Sequence, residues 1–114
     1  MEVRGEDYHV AYDLETATIS CSGTLRLRGA EGYVPIVRLL DKVADQQPEL
    51  ITLHLKGLRF LNSSGINALS KFVINVRNQK HSRLVIRGTK DFPWQGKSLK
   101  NLKRLMPDMR LELE

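Results

Sequence analysis

A chain of 114 residues with 41% hydrophobic content can bury one modest core, so residues 1–114 read as a single domain. The formal charge of +5 admits acidic partners, but acids are mixed among the bases and only 6% of residues are aromatic, which argues against nucleic acid. One cysteine excludes an internal disulfide, no stretch approaches the roughly 20 apolar residues of a membrane span, and Met1–Asp7 lacks a signal peptide's apolar run; the expectation is a cytoplasmic protein with no membrane partner.

Tyr8, Val10, Tyr12 and Leu14 alternate and predict a first strand over Tyr8–Leu14. Thr18–Arg28 alternates again, with Ile19, Cys21, Leu25 and Leu27 on one side and Gly23 marking a bulge. Cys21 reads as a small buried hydrophobe. Gly29–Gly32 is a break. Pro35 then suits a first helical turn, and Ile36, Val37, Leu40, Val43 and Ala44 form the apolar stripe of a helix that ends before Pro48. Glu49–Leu55 is a third strand. Asn62–Gly65 is a tight polar turn, and Ile66, Leu69, Val73 and Val76 carry a second helix to about Asn78. Leu84-Val85-Ile86 is a buried strand closed by Gly88. Thr89–Gly96 reads as a loop, Lys97–Met106 as a third helix, and Met109–Glu114 as a last strand.

The order β-β-α-β-α-β-α-β predicts an α/β domain. Its sheet is mixed and mostly parallel, with about five strands and three helices. Leu53-His54-Leu55-Lys56-Gly57-Leu58-Arg59-Phe60-Leu61-Asn62-Ser63-Ser64-Gly65-Ile66 resembles the signature of STAS domains, the bacterial anti-sigma factor antagonists and their relatives. The likeness is clearest over these residues and extends, by order of elements, over Tyr8–Glu114. Ser22-Gly23-Thr24-Leu25 also resembles the Gly-x-Leu of the family's second strand.

The resemblance implies the STAS architecture and a regulatory protein partner, such as an anti-sigma factor or a serine kinase. It implies phosphorylation at Ser63, the serine after the family's Asp. It also implies a contact surface of Arg59, Phe60, Asn62, Ser63, Ser64, Gly65 and Asn67. Two departures stand out. Asn62 replaces the Asp, keeping the capping ability and removing a charge. Family members usually continue into a last helix after the final strand, which is missing here.

Read from the residues alone, Ser63 is either a helix cap or an acceptor for phosphate, and Ser64 suits a capping hydroxyl. Gly96-Lys97-Ser98 matches the end of a P-loop, but Asp91 replaces the first glycine of that pattern and Pro93 removes a donor, so it reads better as a helix start. Lys97, Lys100, Lys103 and Arg104 form the basic face of the third helix, read first as solvated. Trp94 is an interface anchor or a lid over the core. His9, His54 and His81 have no ligand-type spacing, and no acid, base and nucleophile converge in the sequence. His54 is expected on a sheet surface.

The expectation is therefore a non-enzymatic interaction module without metal or cofactor, switched at Ser63. The alternatives are a constitutive STAS scaffold that docks or self-associates, a homodimer through an open sheet edge, and an anion or nucleotide binder at Gly96-Lys97-Ser98.

Overall fold

The alternation in the strands becomes a sheet with one buried face. The computed structural model describes residues 1–114. Strands β1 (Glu2–Arg4), β2 (Tyr8–Asp13), β3 (Thr18–Leu25), β4 (Leu50–Leu61), β5 (Arg83–Gly88) and β6 (Arg110–Leu113) form one six-stranded sheet in sequence order. The first two pairings are antiparallel and the other three parallel. The helices are α1 (Gly29–Gly32), α2 (Val34–Asp45), α3 (Ser63–Gln79) and α4 (Pro93–Leu105).

Consecutive parallel strands joined by right-handed crossovers place their helices on one face. There α2 packs against α3, and α3 against α4. Their inner residues meet Val10, Ile19, Cys21, Ile51, Leu53, Leu55, Leu84 and Ile86 of the sheet in a single cluster. The opposite face carries Ser20, Thr52, His54, Lys56 and Arg87, none of them buried. That polar face is why the strands alternate so legibly, although parallel strands are more often covered on both sides.

The α2 stripe is Ile36, Leu39, Leu40, Val43 and Ala44, the spacing of a helix with one face in the core. Val37, expected in that stripe, is only half-buried because Leu39 takes the inward position. In α3 the buried set is Gly65, Ala68, Leu69, Phe72, Val73 and Val76.

The sheet has six strands rather than about five, and the helices number four rather than three. Glu2–Arg4 is too short to show a period, and it becomes a strand by pairing with His9, Val10 and Ala11. Gly29–Gly32 makes one helical turn, too brief to carry an apolar stripe. The strand predicted to stop at Leu55 continues to Leu61. Its alternation breaks because β4 bulges against β3: Ser20 and Ser22 face His54 and Gly57, and Gly23 and Thr24 face Leu58 and Phe60. Each extra residue flips the inward phase, so Ile51, Leu53 and Leu55 are followed inward by Leu58 and Leu61. Gly23 lies at this irregularity with φ +87, where a side chain would also strike the Asp7 carbonyl. The loop predicted over Thr89–Gly96 ends early, because Pro93 opens α4.

Candidate functional site

The bulged end of β4 delivers the chain to α3 through Asn62, which caps the helix. Asn62 has extended backbone (φ −81, ψ 177), and its side-chain Oδ1 accepts from the Gly65 N–H at 3.0 Å. The same oxygen receives the Tyr33 hydroxyl at 2.6 Å, and Nδ2 donates to the Leu27 carbonyl at 2.8 Å. A backbone N–H can only donate and a carbonyl can only accept, so these partners fix which end of the carboxamide is oxygen. The Asn62 N–H donates to the Leu25 carbonyl at 3.1 Å. One residue thus ties together the end of β3, the segment after it, the start of α2 and the first turn of α3.

This network gives a physical reason for asparagine where the STAS pattern has Asp. A carboxylate could keep both bonds at Oδ1, but its second oxygen would meet the Leu27 carbonyl oxygen in place of a donor. Gly65 is equally constrained. It is buried, and a methyl at its α-carbon would run into the Leu61 side chain and the Tyr33 hydroxyl.

With Asn62 as the cap, the capping role expected of Ser64 is already filled. Ser63 is the first residue of α3 and is exposed, and Ser64 beside it is half-buried. The cap satisfies the Gly65 N–H through its side chain and the Ile66 N–H through its carbonyl. The N–H groups of Ser63 and Ser64 come before the first intrahelical bond and point outward at the positive end of the helix dipole. Asn67 is exposed one turn further along α3, and Arg59 and Phe60 are exposed on the end of β4, Arg59 beside the β1–β2 turn at Gly5 and Glu6, while the Asn62 side chain and Gly65 point into the domain. Phe60 is 37% exposed, and its ring carries the Arg26 guanidinium 4.8 Å from the centroid. Arg26 is a neighbour that the sequence pattern did not single out; only the β3–β4 pairing brings it beside Phe60.

The second polar junction carries no local sequence signal. Gln95 is completely buried. Its Nε2 donates to the Leu55 and Leu58 carbonyls at 2.8 and 3.0 Å, and its Oε1 accepts from the Thr89 N–H at 2.8 Å. Pairing between β4 and β5 ends at His54 and Arg87, so the later β4 carbonyls need other donors. Trp94 supplies another through Nε1 to Leu58 at 2.9 Å, which makes it a half-buried brace over the β4 bulge.

Gly96-Lys97-Ser98 lies inside α4 rather than at its start. A P-loop needs those residues to leave a loop that wraps phosphates, and here the helix has already begun at Pro93. The basic face of α4 is also smaller than expected, because Lys103 turns its ammonium onto the Pro107 and Met109 carbonyls. No group of three or more His, Cys, Asp or Glu side chains gathers in one place. Burial pushes the Cys21 thiol pKa up to about 12, so it stays protonated. His54 faces the open sheet surface; burial, then the charges of Arg87 and Lys56, hold its pKa below the ordinary 6.5.

No family model matches the sequence, and no curated relative does either. The architecture does find solved counterparts. Apo-SiaC from Pseudomonas aeruginosa superposes with a TM-score of 0.75 at 12% identity, over 100% of this chain and 97% of that one. An anti-sigma factor antagonist from Mycobacterium paratuberculosis gives 0.70 at 15% identity, over 96% and 90%. The fold is that of a STAS domain. A chain from the complex of the diguanylate cyclase SiaD with its activator SiaC, also from Pseudomonas aeruginosa, gives 0.70 at 15% identity, over 99% and 97%. No helix of this STAS-fold chain is long and apolar enough to cross a membrane.

Proposed function

We propose that this chain is a regulatory protein-interaction module that docks its partner over the β4–α3 turn and is switched by phosphorylation of Ser63. The observation that carries this reading is the division of labour in the turn. Asn62 performs the cap, so the Ser63 hydroxyl stands exposed with no capping duty, beside unpaired backbone N–H groups. A phosphate there adds nearly two negative charges where a helix N-terminus favours them. The modification is therefore tolerated by the fold while it changes the charge and shape met by a partner. Arg59, Phe60, Ser64 and Asn67 frame the contact, and Asn62 and Gly65 hold it in shape.

The chemistry of phosphate transfer belongs to a serine kinase, and this chain acts as its substrate rather than as an enzyme. The fold neighbours support two partner classes. One is an anti-sigma factor, the partner implied by an antagonist; the other is a signalling enzyme, as SiaD is for SiaC. Transcription regulation follows from the first class only.

The test is a paired capture with wild-type and Ser63→Asp baits, together with phosphosite mapping of the native protein. A partner held by wild type and lost on Ser63→Asp, with phosphate found on Ser63, is the expected result. The same partner on both baits at matched salt, with Ser63 unmodified across growth conditions, would replace the switch with a constitutive scaffold. Asn62 in place of the family's Asp is the observation that favours that second reading.

A further inference from the structure

Between α2 and α3 runs an open groove of about 440 Å³ that begins at Ser64. Val34 and Val37 line it from α2, and Ile74 from α3. Val34 is 39% exposed and Val37 half-buried, so apolar surface is left facing solvent between two helices that otherwise pack closely. Arg38 stands on the α2 wall and Lys71 on the α3 wall, with no carboxylate among the lining residues. The ion pairs of the molecule lie elsewhere, at Glu2, Glu112 and Glu114, so both cations lack an acidic partner.

We propose that this groove seats an acidic amphipathic helix of the regulatory partner, its apolar stripe on Val34, Val37 and Ile74 and its carboxylates on Arg38 and Lys71. The proposal rests on the partner-docking reading above and adds the chemistry of the docked segment. The walls are helices whose backbone groups are paired along their length, so the groove offers no edge for an extended strand. An incoming helix satisfies its own backbone and needs only side-chain contacts. From Ser64 to Ile74 the α3 wall spans about 15 Å at the rise of an α-helix, enough for about three turns of a guest. The two unpaired cations select acidic over basic flanks.

The position of the groove also accounts for how the switch would be read. Ser64 is the first α3 residue to line it, and Ser63 is the residue before. A phosphate on Ser63 would stand at the end of a groove whose own charge comes from Arg38 and Lys71, and would repel an acidic guest.

The test uses the full chain, isotopically labelled, titrated by NMR with two helix-stapled peptides of about three turns. Both carry leucines at i, i+3, i+4 and i+7; one has glutamates on the flanks and the other lysines. The glutamate peptide should shift Val37, Ala68 and Ile74 and saturate, and the lysine peptide should bind about tenfold more weakly, since two exposed ion pairs become two repulsions. The double variant Arg38→Glu/Lys71→Glu should reverse that preference, and both positions tolerate the change because they are exposed.

Equal affinity for both peptides, no binding of either, or shifts confined to the open sheet face would overturn the proposal. So would concentration-dependent shifts at the groove without peptide, which would make a second copy the occupant. The two readings fail separately. Charge selectivity retained while Ser63→Asp leaves native-partner capture unchanged removes the switch and keeps the groove. Lost selectivity with capture still abolished by Ser63→Asp removes the groove and keeps the switch.

Discussion

Asn62 and Gln95 use the same chemistry on either side of the bulged half of β4. Each is a carboxamide that donates to carbonyls left over by irregular backbone and accepts one backbone N–H. Gln95 does this with no exposure at all and holds the strand against α4 and the end of β5. Asn62 does it half-buried, one residue before an exposed serine. A sealed junction can only be structural. A junction at the surface can be structural and, at the same time, free its neighbour for another role.

Gln95→Ala should separate the two most sharply. It leaves the Leu55 carbonyl and the Thr89 N–H without their partner in the core, while the Leu58 carbonyl keeps Trp94, at about 2–5 kcal/mol in chemical denaturation. A loss under about 1 kcal/mol would mean that water replaces the side chain. Asn62→Asp should cost about 1–3 kcal/mol, because a donor becomes an oxygen facing the Leu27 carbonyl. Unchanged stability would show that the junction accommodates the Asp of the STAS pattern.

Ser63→Asp should contrast with its neighbour. A carboxylate in the first turn of α3 should leave stability the same or raise it by less than about 1 kcal/mol, while partner binding falls. A clear loss of stability would mean that the hydroxyl has a structural duty after all. The smallest effect concerns His54, on the open face away from both junctions. Its folded pKa lies below 6.5, so the unfolded chain binds the proton more readily. Stability is then complete above that value and declines as the pH falls through the window below it. Melting temperatures measured from neutral to mildly acidic pH should show this decline, and His54→Gln should flatten it.

The strands facing the helices were legible because only one sheet face is buried, so the period of two survives in Thr18–Leu25 and in Ile51, Leu53 and Leu55. The turn was legible because Asn-Ser-Ser-Gly between a strand and an apolar helix is a local pattern. The second half of β4 was not, since its two bulges destroy the period that identifies a strand. Trp94 and Gln95 were obscured for a related reason. Their partners, the carbonyls of Leu55 and Leu58, are nearly forty residues away in the chain.

By itself the sequence determined the order of the longer elements from β2 on, the STAS-type fold expectation and the candidate serine, because each rests on contacts or periods within a few residues, whereas β1 and the one-turn α1 carry no such period. Only the tertiary structure decided that Asn62 caps the helix, that its donor is committed to Leu27, and that Arg26 lies over Phe60. Only the packing of α2 beside α3 left a basic-walled apolar groove at the same turn. The physical reason is that a carboxamide's partners and a groove's second wall come from segments distant in the chain, and no local spacing encodes where the fold will bring them together.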